Sequence, residues 1–402
     1  MAHGRALIVG GSVGGLFAAH FLRAAGWDAV VVERSDGELA DRGASIGTRE
    51  ELFDALRCIG ISLDPSAGVA ARSRICLDDK GSIIEELPIA SVSSAWDRIY
   101  RPLRAALPAS CYRAGLRVER VEPRPNGVTA IFADGTRGEA DLLIAADGIH
   151  STVRGQLMPE AAARYAGYVA WRGVIEESAL TREEHELLFG RMCFCLPEGE
   201  LLLAMGMPGR DDDTRPGKRR YYWIWFRAAD RERGLPLLCT DESGRCHGAS
   251  IPPPLVRGEV LADLRRAAEA RFAPPLAAII RRTAQPFPHG IFDFESSRLV
   301  FGRVAVLGDA AFVARPHVGA GVTKAALDAR CLADALAAGG DIAAALARYE
   351  GERRAFGQAL VARGRYLGAY LEAHSKAPDR FAARAREPAA VLAEYGSAGR
   401  SR

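Results

Sequence analysis

The stretch GDAAFVARPHVGAGVTKAALDA, residues 308–329, sets a carboxylate, an imidazole and a run of bare backbone between a buried-looking strand and a helix. Val304–Leu307 is apolar. Asp309 follows at once, His317 follows Pro316, and Gly319-Ala320-Gly321 lead into the amphipathic stretch Val322–Leu336. An imidazole there can donate a hydrogen bond or take a proton near neutral pH. A Gly/Pro turn before an ordinary helix accounts for the glycines but leaves Asp309 unexplained.

Two other stretches carry the same junction. In RALIVGGSVGGLFAAHFLRAAGWDAVVVERS (5–35), the apolar run Ala6–Val9 suits a buried parallel strand. Gly10, Gly11, Ser12, Gly14 and Gly15 then make a turn of little bulk. Leu16, Ala19, Phe21 and Leu22 repeat at helical spacing up to Gly26, and Ala29–Val32 is a second strand closed by Glu33. Such a βαβ unit lets backbone approach a pyrophosphate at the helix N-terminus, and Glu33 stands where a ribose-binding acid belongs. Ser12 takes the middle glycine position; it is small, and its hydroxyl can donate to phosphate. The third stretch, ADLLIAADGIHSTVR (140–154), is a buried strand ending at Asp147-Gly148. Ser151 there can cap the helix that carries Arg154.

Candidates for an organic ligand lie between the second and third junctions. YAGYVAWRGVI (165–175), MCFCL (192–196), LLLAMGM (201–207) and RYYWIWFRA (220–228) read as antiparallel strands. Tyr168, Trp171 and Arg172 can line a pocket for a flat ring, with Arg172 meeting an anionic oxygen or carboxylate. Most aromatics of such a sheet are core, and a partner acid within the sheet is the plain alternative for Arg172. His317 is the candidate base or donor, with a structural role in its loop as the alternative.

These residues need a scaffold of some size. The 402 residues, 49% hydrophobic, exceed one common core. Helices are expected from about Thr48, over 95–108, over Leu255–Phe272 and across the Ala/Arg-rich tail 343–385; PHGIFDFE (288–295) reads as a returning strand. Arg98 and Arg104 are assigned to a solvated face, and GRDDDTRPGKRR (209–220) to a hairpin loop. A net charge of +3 with interspersed signs gives no case for nucleic acid. No apolar run is long enough for a membrane span. The eight cysteines form no CxxC pair; Cys193 and Cys195 share a strand face, so packing rather than metal is expected. Reduced thiols and a cytoplasmic setting follow.

Taken together, VGGSVGGL with Glu33, ADGIHSTVR and GDAAFVARPHVGAGVTKAALDA resemble the three FAD-binding motifs of class A flavoprotein aromatic hydroxylases, in order, over about the first 340 residues. The stretches SSAWDRIYRPLRAALP and YAGYVAWRGV are similar to the branch typified by 2,6-dihydroxypyridine 3-hydroxylase. The resemblance implies an α/β fold. A Rossmann-like, glutathione-reductase-like FAD-binding domain (1–160, returning at 291–340) is interleaved with an antiparallel-sheet substrate domain (161–290), and helices follow at 341–402. It implies that Asp309 meets the ribityl chain of FAD and that Gly319, Ala320 and Gly321 approach the pyrimidine end of the flavin. The cofactor set expected is Gly10, Gly11, Ser12, Gly15, Glu33, Arg34, Arg42, Tyr100, Arg101, Asp147, Asp309, Gly319, Ala320 and Gly321. Here Ala320 replaces a usual Gln, Thr323-Lys324 fill a usual Asn region, and Tyr100 holds the register of a usual Arg. The activity implied is hydroxylation of an electron-rich aromatic or heteroaromatic ring with O2, by way of a flavin C4a-hydroperoxide. NADH or NADPH is the transient reductant, since no second dinucleotide motif is present. A small aromatic substrate is the expected partner, with homodimer formation left open. Two alternatives stand beside this reading. One is a flavin-dependent halogenase, although WIWF at 223–226 does not match its GWxWxIP stretch. The other is a flavoprotein that binds FAD without turnover.

Overall fold

The computed structural model describes residues 4–39, 45–64, 68–372 and 387–396. Its first sheet has six strands. Arg5–Val9 pairs in parallel with Asp28–Val32 on one side and Leu142–Ala145 on the other; Leu142–Ala145 pairs in parallel with Val304–Val306. Parallel neighbours need crossovers, and helix Val13–Ala24 supplies the first. Its apolar face, with Leu16, Phe17 and Leu22 fully buried, packs in one core with Ile8, Val31, Leu143, Val306 and Leu307. Helix Gly321–Ala337 lies against it, contributing Ala326, Ala329 and Leu332. Each of the three junctions thus lies where a strand of this sheet ends.

The second sheet has eight strands. Arg164–Glu176 lies between Phe287–Glu295 and Arg220–Ala228, followed by Leu201–Met207, Arg191–Cys195, Ser73–Leu77 and Ile83–Leu87; Phe312–Val313 closes the other edge. Side chains alternate between its faces. Val169, Trp171, Ile175, Trp223 and Trp225 face helices Gly258–Arg271 and Pro274–Arg282. Tyr168, Ala170, Phe194, Leu203, Ile224 and Phe226 face the other way, toward Tyr370, Leu371, Val391 and Leu392. Cys193 and Cys195 lie in the first of these cores, and no metal-binding cluster occurs among the described residues.

Three readings of the sequence change. Ser73–Leu77 pairs in parallel with Arg191–Cys195, so residues 73–87 belong to the second sheet although they precede position 160. The helix expected from Thr48 starts at Glu50, after an extended Arg49. Among the described residues the helical tail consists of Ile342–Gly368, the single turn Ala369–Leu371 and, past the bound of 385 set for the Ala/Arg-rich run but within the helices expected over 341–402, Pro388–Glu394; 373–386 lie outside the described residues. No described helix is long and apolar enough to cross a membrane.

Candidate active site

The strand Arg5–Val9 ends at a cleft of about 730 Å³. Gly10 has φ +105°, and a Cβ there would lie 2.4 Å from the Ala146 carbonyl oxygen; one at Gly15 would lie 1.9 Å from the oxygen of Gly10. Only glycine fits either position. Ser12 precedes the helix in an extended conformation, its side chain makes no capping bond, and no acid stands in the first turn. The first helical N–H groups therefore have neither an intrahelical acceptor nor a capping carboxylate. Glu33 is buried; its two oxygens accept from the amides of Gly11 (2.7 Å) and Ser35 (2.9 Å), leaving lone pairs for a ligand hydroxyl. Arg34 is exposed on the cleft wall.

The second junction meets the third here. Asp147 Oδ2 accepts from the Val153 amide at 3.2 Å, while its Oδ1 is buried without a hydrogen-bond partner among the described residues. Burial raises this carboxyl above its usual range. Ser151 caps its helix as expected, through the Arg154 amide. The buried Arg154 guanidinium donates to the carbonyls of Ile149 and Ala310 (3.0 Å), fastening the second junction to the third. At that third junction the Asp309 side chain is 56% exposed, with the Lys324 ammonium 3.8 Å behind it. Gly319 takes a left-handed conformation (φ +56°), Ala320 precedes the helix, and Gly321 begins it. Strand Ser45–Gly47 passes close by: a Cβ on Gly47 would sit 3.5 Å from the Gly319 oxygen. Arg49 holds this approach through the Val318 carbonyl at 3.0 Å. The unpartnered oxygen of Asp147, the free amides and the glycine cradle fit a dinucleotide.

Of the expected cofactor residues, Gly10, Ser12, Glu33, Arg34 and Asp147 line this cleft. Tyr100 is 1% exposed, stacked on Trp96 at 4.7 Å, and lies in the core next to Tyr112 rather than on the cleft wall. Arg101 turns to Asp211 of the 209–220 loop, 3.8 Å away, because the helix face it occupies looks at that loop. The solvated face expected for Arg98 and Arg104 is also corrected. The Arg98 side chain is 9% exposed and reaches Asp212, and Arg104 stacks over Tyr112 at 4.1 Å. Arg42 lies outside the described residues.

The face of the second sheet turned toward Tyr370 and Leu371 carries the other candidates. Tyr168 and His317 meet there, the phenol 2.7 Å from Nε2; His317 is fully buried and its Nδ1 has no partner among the described residues. Burial, and then the Arg315 guanidinium, push the His317 pKa down to about 3. Burial thus favours the neutral imidazole. Arg172 shares a strand face with Tyr168. Its Nε is buried without a hydrogen bond, and no described carboxylate pairs with its guanidinium. Trp171 does not line this face. It is 1% exposed in the opposite core, because a residue next to Arg172 in a strand must point the other way.

Two residues on this face escaped the sequence. His289 pairs with Ala170 in the neighbouring strand, and burial together with Arg172 lowers its pKa well below the usual value. Alternation within PHGIFDFE offered it to one face or the other, but the pairing register decides which. Tyr395 follows the short helix Pro388–Glu394, within the C-terminal helices expected over 341–402. Its ring stands 5.7 Å from His317 and 5.4 Å from Phe194, and Arg74 holds its carbonyl at 2.8 Å. Nothing in its local sequence marks it.

Comparison with known proteins covers both sheets. An FAD binding domain family matches residues 4–74 and 258–364, and an FAD binding domain-like family matches 165–293. The 2,6-dihydroxypyridine 3-monooxygenase of Paenarthrobacter nicotinovorans is 30% identical over 369 residues, 92% of this chain and 91% of that protein. The chain belongs to the class A flavoprotein hydroxylases. The solved 2,6-dihydroxypyridine-3-hydroxylase of Arthrobacter nicotinovorans superposes with a TM-score of 0.86, at 30% identity over 92% of this chain and 93% of that one. HpxO of Klebsiella pneumoniae, in complex with FAD and uric acid, gives 0.73 at 26% identity over 93% and 90%. As a class A hydroxylase the chain is an FAD-dependent aromatic-ring monooxygenase. Neither the halogenase reading nor the non-catalytic one is favoured.

Proposed function

We propose that this monooxygenase hydroxylates a small electron-rich ring bearing an ionisable oxygen, of the hydroxypyridine or phenol type, with NADH or NADPH as transient reductant. The observation that carries this reading is Arg172, a cation with no described counter-charge on an aromatic sheet face. An ionised ring hydroxyl or a carboxylate is the complement such a guanidinium lacks. The similarity to a 2,6-dihydroxypyridine 3-monooxygenase supports the same class of ring.

Bound FAD supplies the oxygen chemistry. The work of the chain is to hold it and to orient the ring. In this reading the amides after Ser12 take the pyrophosphate, Glu33 the adenosine ribose, and Asp309 the ribityl chain. The Gly319–Gly321 backbone lies along the pyrimidine edge, in a glutathione-reductase-like fold interleaved with the substrate sheet. Arg172 fixes the anionic oxygen of the substrate. His317, neutral and anchored to Tyr168, presents a hydrogen bond rather than a titrating base. The buried aromatic walls exclude water, so that oxygen reaches the ring instead of leaving as hydrogen peroxide. The free thiols suit a reducing, cytoplasmic setting.

The test is a screen of hydroxylated pyridines, phenols and benzoates against the yellow holoprotein. NAD(P)H oxidation and product mass are followed together. An added mass of one oxygen on an anionic ring, with faster NAD(P)H oxidation, is expected. Oxidation that no ring compound accelerates would overturn the proposal.

A further inference from the structure

Lys324 is the buried charge that the flavin reading leaves without a task. It stands in the first turn of helix Gly321–Ala337 and is 1% exposed, and its ammonium makes no hydrogen bond among the described residues. Two carboxylates flank it, Asp309 at 3.8 Å and Asp328 at 3.7 Å. Asp328 is already committed, because it accepts from Arg353 at 2.8 Å and from the Gly308 amide at 3.1 Å. Asp309 accepts no comparable bond among the described residues; its side chain is exposed. The four groups form a chain of alternating sign, Arg353–Asp328–Lys324–Asp309, running from the interior to the surface.

We propose that Lys324 is a positioning residue for FAD that acts through Asp309, keeping that carboxylate ionised so that it can accept from a ribityl hydroxyl. The proposal rests on the reading of Asp309 given above. Asp309 has reason to need such help. The protein packed behind it raises its pKa although its outer side is open, so this rise is small; Lys324, 3.8 Å away, is the opposing charge, and Asp328 adds to the rise. The other charged or titratable groups around the junction are spent elsewhere. Arg154 faces carbonyls, Arg353 faces Asp328, and the Tyr349 hydroxyl donates to the Val306 carbonyl. A protonated Asp309 would still be an acceptor, but without the charge assistance that roughly doubles such a bond. Lys324 therefore works without touching the cofactor.

The sign follows. Without the ammonium the Asp309 carboxyl protonates at a higher pH, so FAD affinity is lost earlier as pH falls. The experiment titrates apoprotein with FAD between pH 5 and 9, following flavin fluorescence, for wild type, Lys324→Met, Asp309→Asn and the double variant. At the alkaline end Lys324→Met should bind within a few-fold of wild type. The midpoint of its acid loss should rise by about 1–3 pH units, the usual effect of removing an adjacent opposite charge. In the Asp309→Asn background, Lys324→Met should change neither affinity nor profile. An unmoved midpoint, or an equal loss of affinity in the Asn background, would overturn the proposal; the second result would mean that the ammonium acts on FAD directly. If Asp309→Asn itself leaves FAD affinity unchanged, the ribityl reading falls and takes the proposal with it. If only Lys324→Met is silent, the ribityl reading survives and the proposal does not. Should Lys324→Met fail to fold, Lys324→Gln removes the charge and keeps a polar head; it is expected to show the same shift.

Discussion

The FAD groove presents mostly backbone, and the sheet face presents side chains. Around Gly10 and Gly15 the contacts are amide groups presented by a strand end and a helix start, and the glycines matter because a Cβ would strike Ala146 or Gly10. Around Arg172 the backbone is committed to sheet pairing on both sides, and what this face carries is the side chains of Tyr168, Arg172, His289, His317 and Tyr395. The first site repeats one junction three times, and each junction is continuous in sequence. The second gathers residues from four separate stretches, around 168–172, 289, 317 and 395. Backbone recognition is unforgiving of added atoms, whereas side-chain recognition is graded.

The largest effect should follow from Gly10→Ala. It puts a methyl 2.4 Å from a carbonyl at a φ that L residues rarely adopt. FAD released by heating should fall to near zero per chain, while Trp171→Phe, a change in the opposite core of the sheet, should leave it unchanged. Normal flavin content in Gly10→Ala would break the comparison at its root.

Next is Arg172→Met, which keeps the stem and removes the charge. FAD content should be unaffected. Ring-stimulated turnover should drop by about 10–100-fold, the weight of a hydrogen bond to a charged group. The loss should be steepest for rings ionised at the assay pH. Equal losses for ionised and neutral rings would make Arg172 a packing residue.

The same contrast explains what the sequence could tell. Strand, glycine turn, helix and closing acid lie within about thirty residues at the first junction, so local periodicity and turn chemistry sufficed there. At the sheet face the sequence reading grouped Trp171 with Tyr168 and Arg172, although strand alternation puts Trp171 on the other side, and alternation alone does not say which side is open. That depends on which face the helices Gly258–Arg271 and Pro274–Arg282 cover. His289 needed a register across strands. Tyr395 needed a tertiary contact spanning more than two hundred residues, to Phe194. Lys324 was legible only as a departure in a motif; its burial between two carboxylates was not.

Tyr395→Ala is expected to act more weakly than Arg172→Met. The ring closes one side of the face beside His317 and Phe194. Its removal should admit water and raise hydrogen peroxide per NAD(P)H several-fold, with FAD retained. Peroxide yield as low as wild type would place Tyr395 outside the reaction space.

The smallest effect, and the finest test, is His317→Gln. The imidazole is neutral in the folded protein down to about pH 3, and near 6.5 when unfolded it takes up a proton. Between those values the unfolded chain binds more protons, so stability falls as pH falls, by at most about 1.4 kcal/mol per pH unit. The contribution is fully present above pH 6.5 and is lost progressively below it. Glutamine keeps a hydrogen bond within reach of Tyr168 but cannot titrate. Urea unfolding at several pH values should therefore show wild type losing stability faster than His317→Gln below pH 6.5, with parallel behaviour above. In turnover, the two proteins should share one pH profile between 6 and 9, with coupling changed only a few-fold. A limb near neutral pH present in wild type and absent in His317→Gln would restore the imidazole as the base. It would also mean that ligand binding opens this side of the sheet to solvent, making it as adaptable as the FAD groove is fixed.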